Sequence, residues 1–133
     1  MLAVCAMAVS FTSCERQADP AKEPVAGKTF QYTYDDGQVS GYIKFIFHMN
    51  HNLTNVIKDA TYDVTNDAMV WEMKDNAKDF DIKMAPGTVN QQTGEPVGGM
   101  IVYKGTYDAE TSSITVTLQG TSQPVQYVCT EVK

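Results

Sequence analysis

Lys28-Thr29-Phe30-Gln31-Tyr32-Thr33-Tyr34, then Asp35-Asp36-Gly37-Gln38, then Val39 through Met49, is the stretch that decides the fold. Polar and aromatic residues alternate in the first run, so Phe30, Tyr32 and Tyr34 fall on one face of an extended strand. The Asp-Gly pair that follows is a hairpin turn signal, and it predicts an antiparallel partner immediately downstream. Val39 to Met49 supplies that partner, with Ile43, Phe45 and Phe47 on one face and Tyr42, Lys44, Ile46 and His48 on the other.

The same rhythm continues to the end of the chain. Leu53 to Ile57 and Ala60 to Val64 read as short strands, and Thr65-Asn66-Asp67 reads as a turn. Ala68 to Lys74 sets Met69, Trp71 and Met73 on one face; Asp79 to Met84 does the same for Phe80, Ile82 and Met84. Pro86 to Gly99 is the longest irregular segment, and strands resume at Met100 to Tyr107, Ser113 to Leu118 and Val125 to Val132. The expectation is an all-β domain of about eight strands joined mostly by short turns, which places consecutive strands side by side in antiparallel order. An up-and-down meander of this kind hides its two edges by closing into an eight-stranded barrel; a two-sheet β-sandwich is the alternative. Facing inward in the barrel would be Phe30, Tyr32, Tyr34, Ile43, Phe45, Phe47, Tyr62, Met69, Trp71, Met73, Phe80, Ile82, Met84, Ile101, Tyr103, Tyr107, Ile114, Val116, Leu118, Val125 and Tyr127.

Gly27-Lys28-Thr29-Phe30, the Asp36-Gly37 hairpin, and Gly105-Thr106-Tyr107-Asp108 followed by Ile114-Thr115-Val116-Thr117 resemble the small lipocalin-like lipoproteins of Bacteroidetes-type bacteria. The resemblance spans the chain from about Gly27 onward and rests on spacing and strand rhythm. The Gly-x-Trp signature of true lipocalins is absent, and Phe30 stands three residues after Gly27. The resemblance implies a calycin-type barrel, residues 27–133, that takes a small ligand at its open end.

The amino-terminal segment has a different character. Leu2 to Phe11 is apolar and uncharged, and about ten residues are too few to cross a bilayer as a helix. It reads as the apolar region of a secretory signal, residues 1–13. Ser13 before Cys14 resembles the lipobox of bacterial lipoproteins, where cleavage exposes a cysteine that carries diacylglycerol and commonly a further acyl chain such as palmitate. No Lys or Arg stands between Met1 and the run, a departure from that pattern, and an ordinary buried strand is the alternative. Residues 14–26 hold charges and two prolines and read as a flexible tether between the lipidated Cys14 and the barrel. Two or more acyl chains anchor a protein stably. These readings expect an outer-membrane-anchored lipoprotein of the bacterial cell envelope, periplasmic or surface-exposed, whose membrane contact is the lipid on Cys14.

Composition narrows the chemistry. The 133 residues carry 10 Lys and Arg against 16 Asp and Glu, a formal charge of −6, which gives no field to attract a phosphate backbone, so no nucleic-acid partner is expected. No catalytic or phosphate-binding motif is found, and the expectation is a protein that is not an enzyme and needs no cofactor. His48 and His51 flank Met49 as the one nitrogen and sulfur cluster, but two ligands make a weak site and no metal is expected. Asp79 and Asp81 point the same way from one strand, opposite Phe80 and Ile82, and read as a solvated outer face. Cys129 reads as a small buried hydrophobe. Asn52-Leu53-Thr54 matches a glycan acceptor that carries no meaning in a bacterial lipoprotein.

The leading functional expectation is a membrane-anchored barrel that binds a small apolar or amphipathic ligand through Trp71, Met69, Met73, Phe45, Phe47 and Tyr103. The alternative is a non-catalytic module, inhibitor or adhesion in type, that offers the 86–99 loop to a protein or a glycan.

Overall fold

The structure, a computed structural model, describes residues 16–133; the signal segment and Cys14 lie outside the described residues. Eight antiparallel strands follow one another: β1 (Thr29–Asp35), β2 (Ser40–Phe47), β3 (Asn52–Asp59), β4 (Asp63–Met73), β5 (Asp79–Met84), β6 (Ile101–Asp108), β7 (Ser113–Leu118) and β8 (Val125–Val132). Each pairs with the next, and β8 returns to β1, so the meander closes into an up-and-down barrel and not a sandwich. The Asp36-Gly37 hairpin sets Phe30 opposite Phe45 and Tyr32 opposite Ile43, as the alternation requires.

Two β-bulges modify the pattern. Leu53 pairs with Met69 but Asn55 pairs with Asn66, so β4 carries one extra residue there. The predicted strands at 60–64 and 68–74 are therefore one long strand, and the predicted turn at 65–67 is a bulge within it. The bulge also shifts parity, so Val64 and Asn66 face inward before it and Met69 and Trp71 after it. Tyr62, expected inside, sits in the β3–β4 turn and is 60% exposed. A second bulge sets Ile101 opposite the outward Lys83, and Val102 packs on the core where Ile101 was expected.

The barrel has two unlike ends. At the proximal end, where β1 begins, the interior is solid: Phe30, Phe47, Trp71, Phe80, Ile82, Ile114 and Cys129 are fully buried. Phe47 meets Phe30, Trp71 and Phe80 edge to face at 5.7, 5.6 and 5.3 Å, geometry worth about 0.5–1.5 kcal/mol per pair beyond burial. Gly105 makes this packing feasible, because a Cβ there would meet the Phe80 ring at 2.2 Å.

The segment before β1 is not a free tether. Ala18, Val25 and Ala26 are buried, and Val25 closes the barrel's base. The Ala18 amide donates to the Met49 carbonyl at 2.7 Å, and the Gly27 amide to that of Phe47 at 2.8 Å. The prolines help this packing. Pro20 and Pro24 each take the second position of a turn, which their fixed φ favours, and the turns close by Lys22 N–H to Asp19 O and Ala26 N–H to Glu23 O.

Candidate functional site: the distal mouth of the barrel

The strand register decides which inward side chains lie near an end. On β1, β2, β3, β5 and β7, burial of the inward residues falls toward the distal end, and β8 does the same beyond Cys129: Phe30 is sealed while Tyr32 and Tyr34 are half-buried, and Cys129 is sealed while Tyr127 is half-buried. Ile57 on β3 and Leu118 on β7 repeat the gradient. Among the described residues the half-buried inward side chains therefore gather mainly at the distal end, at a mouth framed by the turns 35–40, 59–63, 85–100 and 119–124.

The barrel wall is also incomplete at that end. β1 and β2 pair over seven residues, but β1 and β8 pair only through Thr29–Val132, Phe30–Glu131 and Gln31–Thr130. Beyond this the two backbones part, and tyrosine rings occupy the seam: Tyr32 packs on Tyr127 at 5.2 Å and stacks on Tyr34 at 6.2 Å. At the proximal side of the seam Lys28 bridges Glu131, at 3.8 Å, and donates to the Tyr107 hydroxyl at 3.3 Å.

Polar groups stand among these rings. The Tyr34 hydroxyl donates to Asp59 Oδ2 at 2.8 Å, over Gly41, where a Cβ would meet the Lys58 carbonyl at 2.2 Å and the Tyr34 oxygen at 2.8 Å. The Thr61 amide, the Tyr34 hydroxyl and the Tyr62 amide hold the Asp59 carboxyl down at about 2, and the same bond raises the Tyr34 phenol above its ordinary range. Below the mouth, Asn55 is buried and gives its Nδ2 hydrogen to the Lys44 carbonyl. Tyr103, 6% exposed, sets its ring edge to face with Phe45 at 5.1 Å; burial pushes its phenol up to about 12.

The six expected ligand residues divide by depth. Phe45, Tyr103 and Met69 form the floor beneath the mouth. Phe47 and Trp71 belong to the solid proximal half, where Trp71 Nε1 donates to the His48 carbonyl at 3.0 Å. Met73 ends β4 at the opposite end, beside a surface hollow of about 630 Å³ that Arg16 and Lys22 also line. Tyr32, Tyr34, Tyr127, Asn55 and Asp59 are the mouth residues that the expected set omits. Three of them, Tyr32, Tyr34 and Tyr127, lie on predicted inward faces, and their nearness in sequence to the Asp35-Asp36-Gly37 and 119–124 turns is the signal that could have found them.

Elsewhere the chemistry is structural. His51 lies against Trp71 at 4.7 Å between centroids; its Nε2 is 2.8 Å from Glu23 Oε1 and its Nδ1 3.1 Å from the Arg16 carbonyl. Burial raises the Glu23 carboxyl, but bonds from His51, Arg16 and the Asp19 amide outweigh it and bring it to about 2. His48 turns away to Thr54 at 2.8 Å, and no group of three or more His, Cys, Asp or Glu converges on one point among the described residues. Asp81, expected on a solvated face, is 6% exposed and paired with Lys74 at 2.9 Å. Burial lifts the Cys129 thiol to about 12, which leaves it protonated and inert. The loop after β5 is a small hairpin, with Val89 bridged to Pro96 and a hollow of about 510 Å³ beside it.

Comparison with known proteins finds no counterpart: no family model matches the chain, and searches of curated proteins and of solved structures return no match.

Proposed function

We propose that this chain is a non-catalytic binding module of the bacterial cell envelope, held to the membrane by lipid on Cys14, that takes a small amphipathic ligand at the distal mouth of its barrel. The observation that carries the reading is the short β1–β8 pairing, beyond which half-buried Tyr32, Tyr34 and Tyr127 stand together on the inward faces. Their rings offer flat apolar surface, and Asp59 and the phenols offer hydrogen bonds, the mixture that ligand sites commonly present. The lining differs from the Trp71-centred one expected at first, because Trp71 is already enclosed by protein.

The segment after Cys14 suits an anchor at the proximal end. Arg16 is two residues after Cys14 and bonds to Glu23 at 3.2 Å, within a segment packed on the proximal end. A lipid on Cys14 would therefore hold the proximal end close to the membrane and turn the mouth away from it.

Titration with a neutral solvatochromic dye such as Nile red tests the reading. Saturable binding that Tyr32→Ala and Tyr127→Ala weaken, and Trp71→Phe leaves unchanged, is the expected result. Binding that ignores both tyrosine substitutions would refute it.

A second reading keeps the surface and changes the ligand. Val39, Tyr62, Val64, Val89 and Met100, five exposed apolar side chains, gather on the distal turns and the strand starts beside them. They suit a protein or glycan partner that covers the 86–99 hairpin, and removing Thr88 to Val97 would then abolish capture.

A further inference from the structure

The charge on the distal turns says more about the ligand than the apolar lining does. The turns around the mouth hold Asp35, Asp36, Asp59, Asp63 and Glu95 and no Lys or Arg; the cations on the strand ends beside them, Lys58 and Lys83, are bound to Asp63 at 3.3 Å and to Glu72 at 2.9 Å. At the proximal end the carboxylates Asp19, Glu23, Asp75, Asp79, Asp108, Glu110 and Glu131 stand among the cations Arg16, Lys22, Lys28, Lys74 and Lys78, and Arg16 and Lys28 are paired with Glu23 and Glu131. Two of the carboxylates at the mouth are kept ionised by the turns they cap, Gln38 and Val39 amides donating to Asp36 and Thr61 and Tyr62 amides to Asp59; the Gly37 amide donates to Asp35. These bonds explain why aspartates stand there, and they leave the negative charge uncompensated.

A second feature points to a ligand independently. The Tyr103 hydroxyl lies beneath the mouth, 94% of its residue's surface being covered, and finds no hydrogen-bond partner among the described residues. Its ring packs edge to face on Phe45 at 5.1 Å, in the floor of the mouth. A buried hydroxyl left without a partner costs about 1–3 kcal/mol, and a group entering from the mouth would satisfy it.

Resting on the mouth as the binding site, we infer that the ligand is a cationic amphipath: an ammonium or guanidinium group held over the Tyr32 and Tyr34 rings inside the carboxylate rim, with an apolar body directed toward Phe45 and Tyr103. Electron-rich faces beside carboxylates favour cations twice, through the ring quadrupole and through the local field. A fatty acid or other anion meets the same rim as a barrier.

Three naphthalene probes that differ only in charge test this on the full chain in zwitterionic nanodiscs, with empty discs as the blank. They are 1-naphthylmethyl-trimethylammonium, 1-naphthylacetate and 1-naphthalenemethanol, read through ring signals of isotope-labelled tyrosine. The cation is expected to move the Tyr32, Tyr34 and Tyr127 signals with at least about tenfold lower Kd than the carboxylate, and to weaken as salt rises. Asp35→Asn combined with Asp63→Asn, both exposed positions, should weaken the cation several-fold and leave the alcohol unchanged. If all three probes bind alike, the charge inference fails and the mouth stands. If none moves these rings, both fail.

Discussion

Gly41 shows how much one missing side chain arranges at the mouth. Its hydrogen lets the Tyr34 hydroxyl cross to Asp59 and lets β2 lie against the Lys58 carbonyl. Gly41→Ala puts a methyl within 2.2 Å of that backbone oxygen, so strand separation must grow. We expect a loss of about 1–3 kcal/mol by urea denaturation, the usual cost of overpacking, together with release of Tyr34. Glu23 gives a prediction in pH. Its folded carboxyl titrates at about 2 against an ordinary 4.5, so its contribution is complete above about pH 5 and disappears as pH falls toward 2. Melting temperatures of the wild type and Glu23→Gln should differ by a constant amount above that window and converge below it; a difference that persists at pH 2 would deny the His51–Arg16 clasp. At this scale the sequence was least legible. Trp71 and Met73 are ligand-like by residue type, yet one is enclosed and the other sits at the wrong end, because depth along a barrel depends on register and not on identity. Trp71→Ala should accordingly cost about 3–5 kcal/mol in stability, a core penalty, and leave dye affinity at the mouth intact in whatever fraction stays folded.

Among the elements, strands were readable wherever alternation ran unbroken, as in β1, β2, β5 and β7. Bulges were not. Thr65-Asn66-Asp67 has turn residues, but the chain continues through it as β4 because the extra residue lets both Asn66 and Met69 reach the interior. The charged segment before β1 misled for a related reason: its prolines pre-set turns, and three small apolar residues, Ala18, Val25 and Ala26, suffice to dock it. The 85–100 connection is a self-contained hairpin, closed by Asn90 N–H to Glu95 O at 2.8 Å and Val97 N–H to Thr88 O at 2.9 Å. Its bonds are largely its own, so deleting Thr88 to Val97 and rejoining the ends should shift the melting temperature little. A collapse of the fold on deletion would show that the hairpin supports the β5–β6 pairing.

Across the whole molecule, closure by β1 and β8 separates a filled base from a half-buried mouth, and carboxylates without a cation of their own gather on the distal turns. The orientation and the ligand are proposals that depend on this division. Relaxation enhancement from a neutral nitroxide dissolved in the buffer measures it directly, through aromatic ring signals of the protein. Tyr32, Tyr34 and Tyr127 should broaden strongly, while Phe30, Phe47, Phe80 and Trp71 stay sharp. Protection of all seven rings alike, or broadening at Trp71 with the three tyrosines spared, would contradict a barrel that is sealed at its base and open at its mouth.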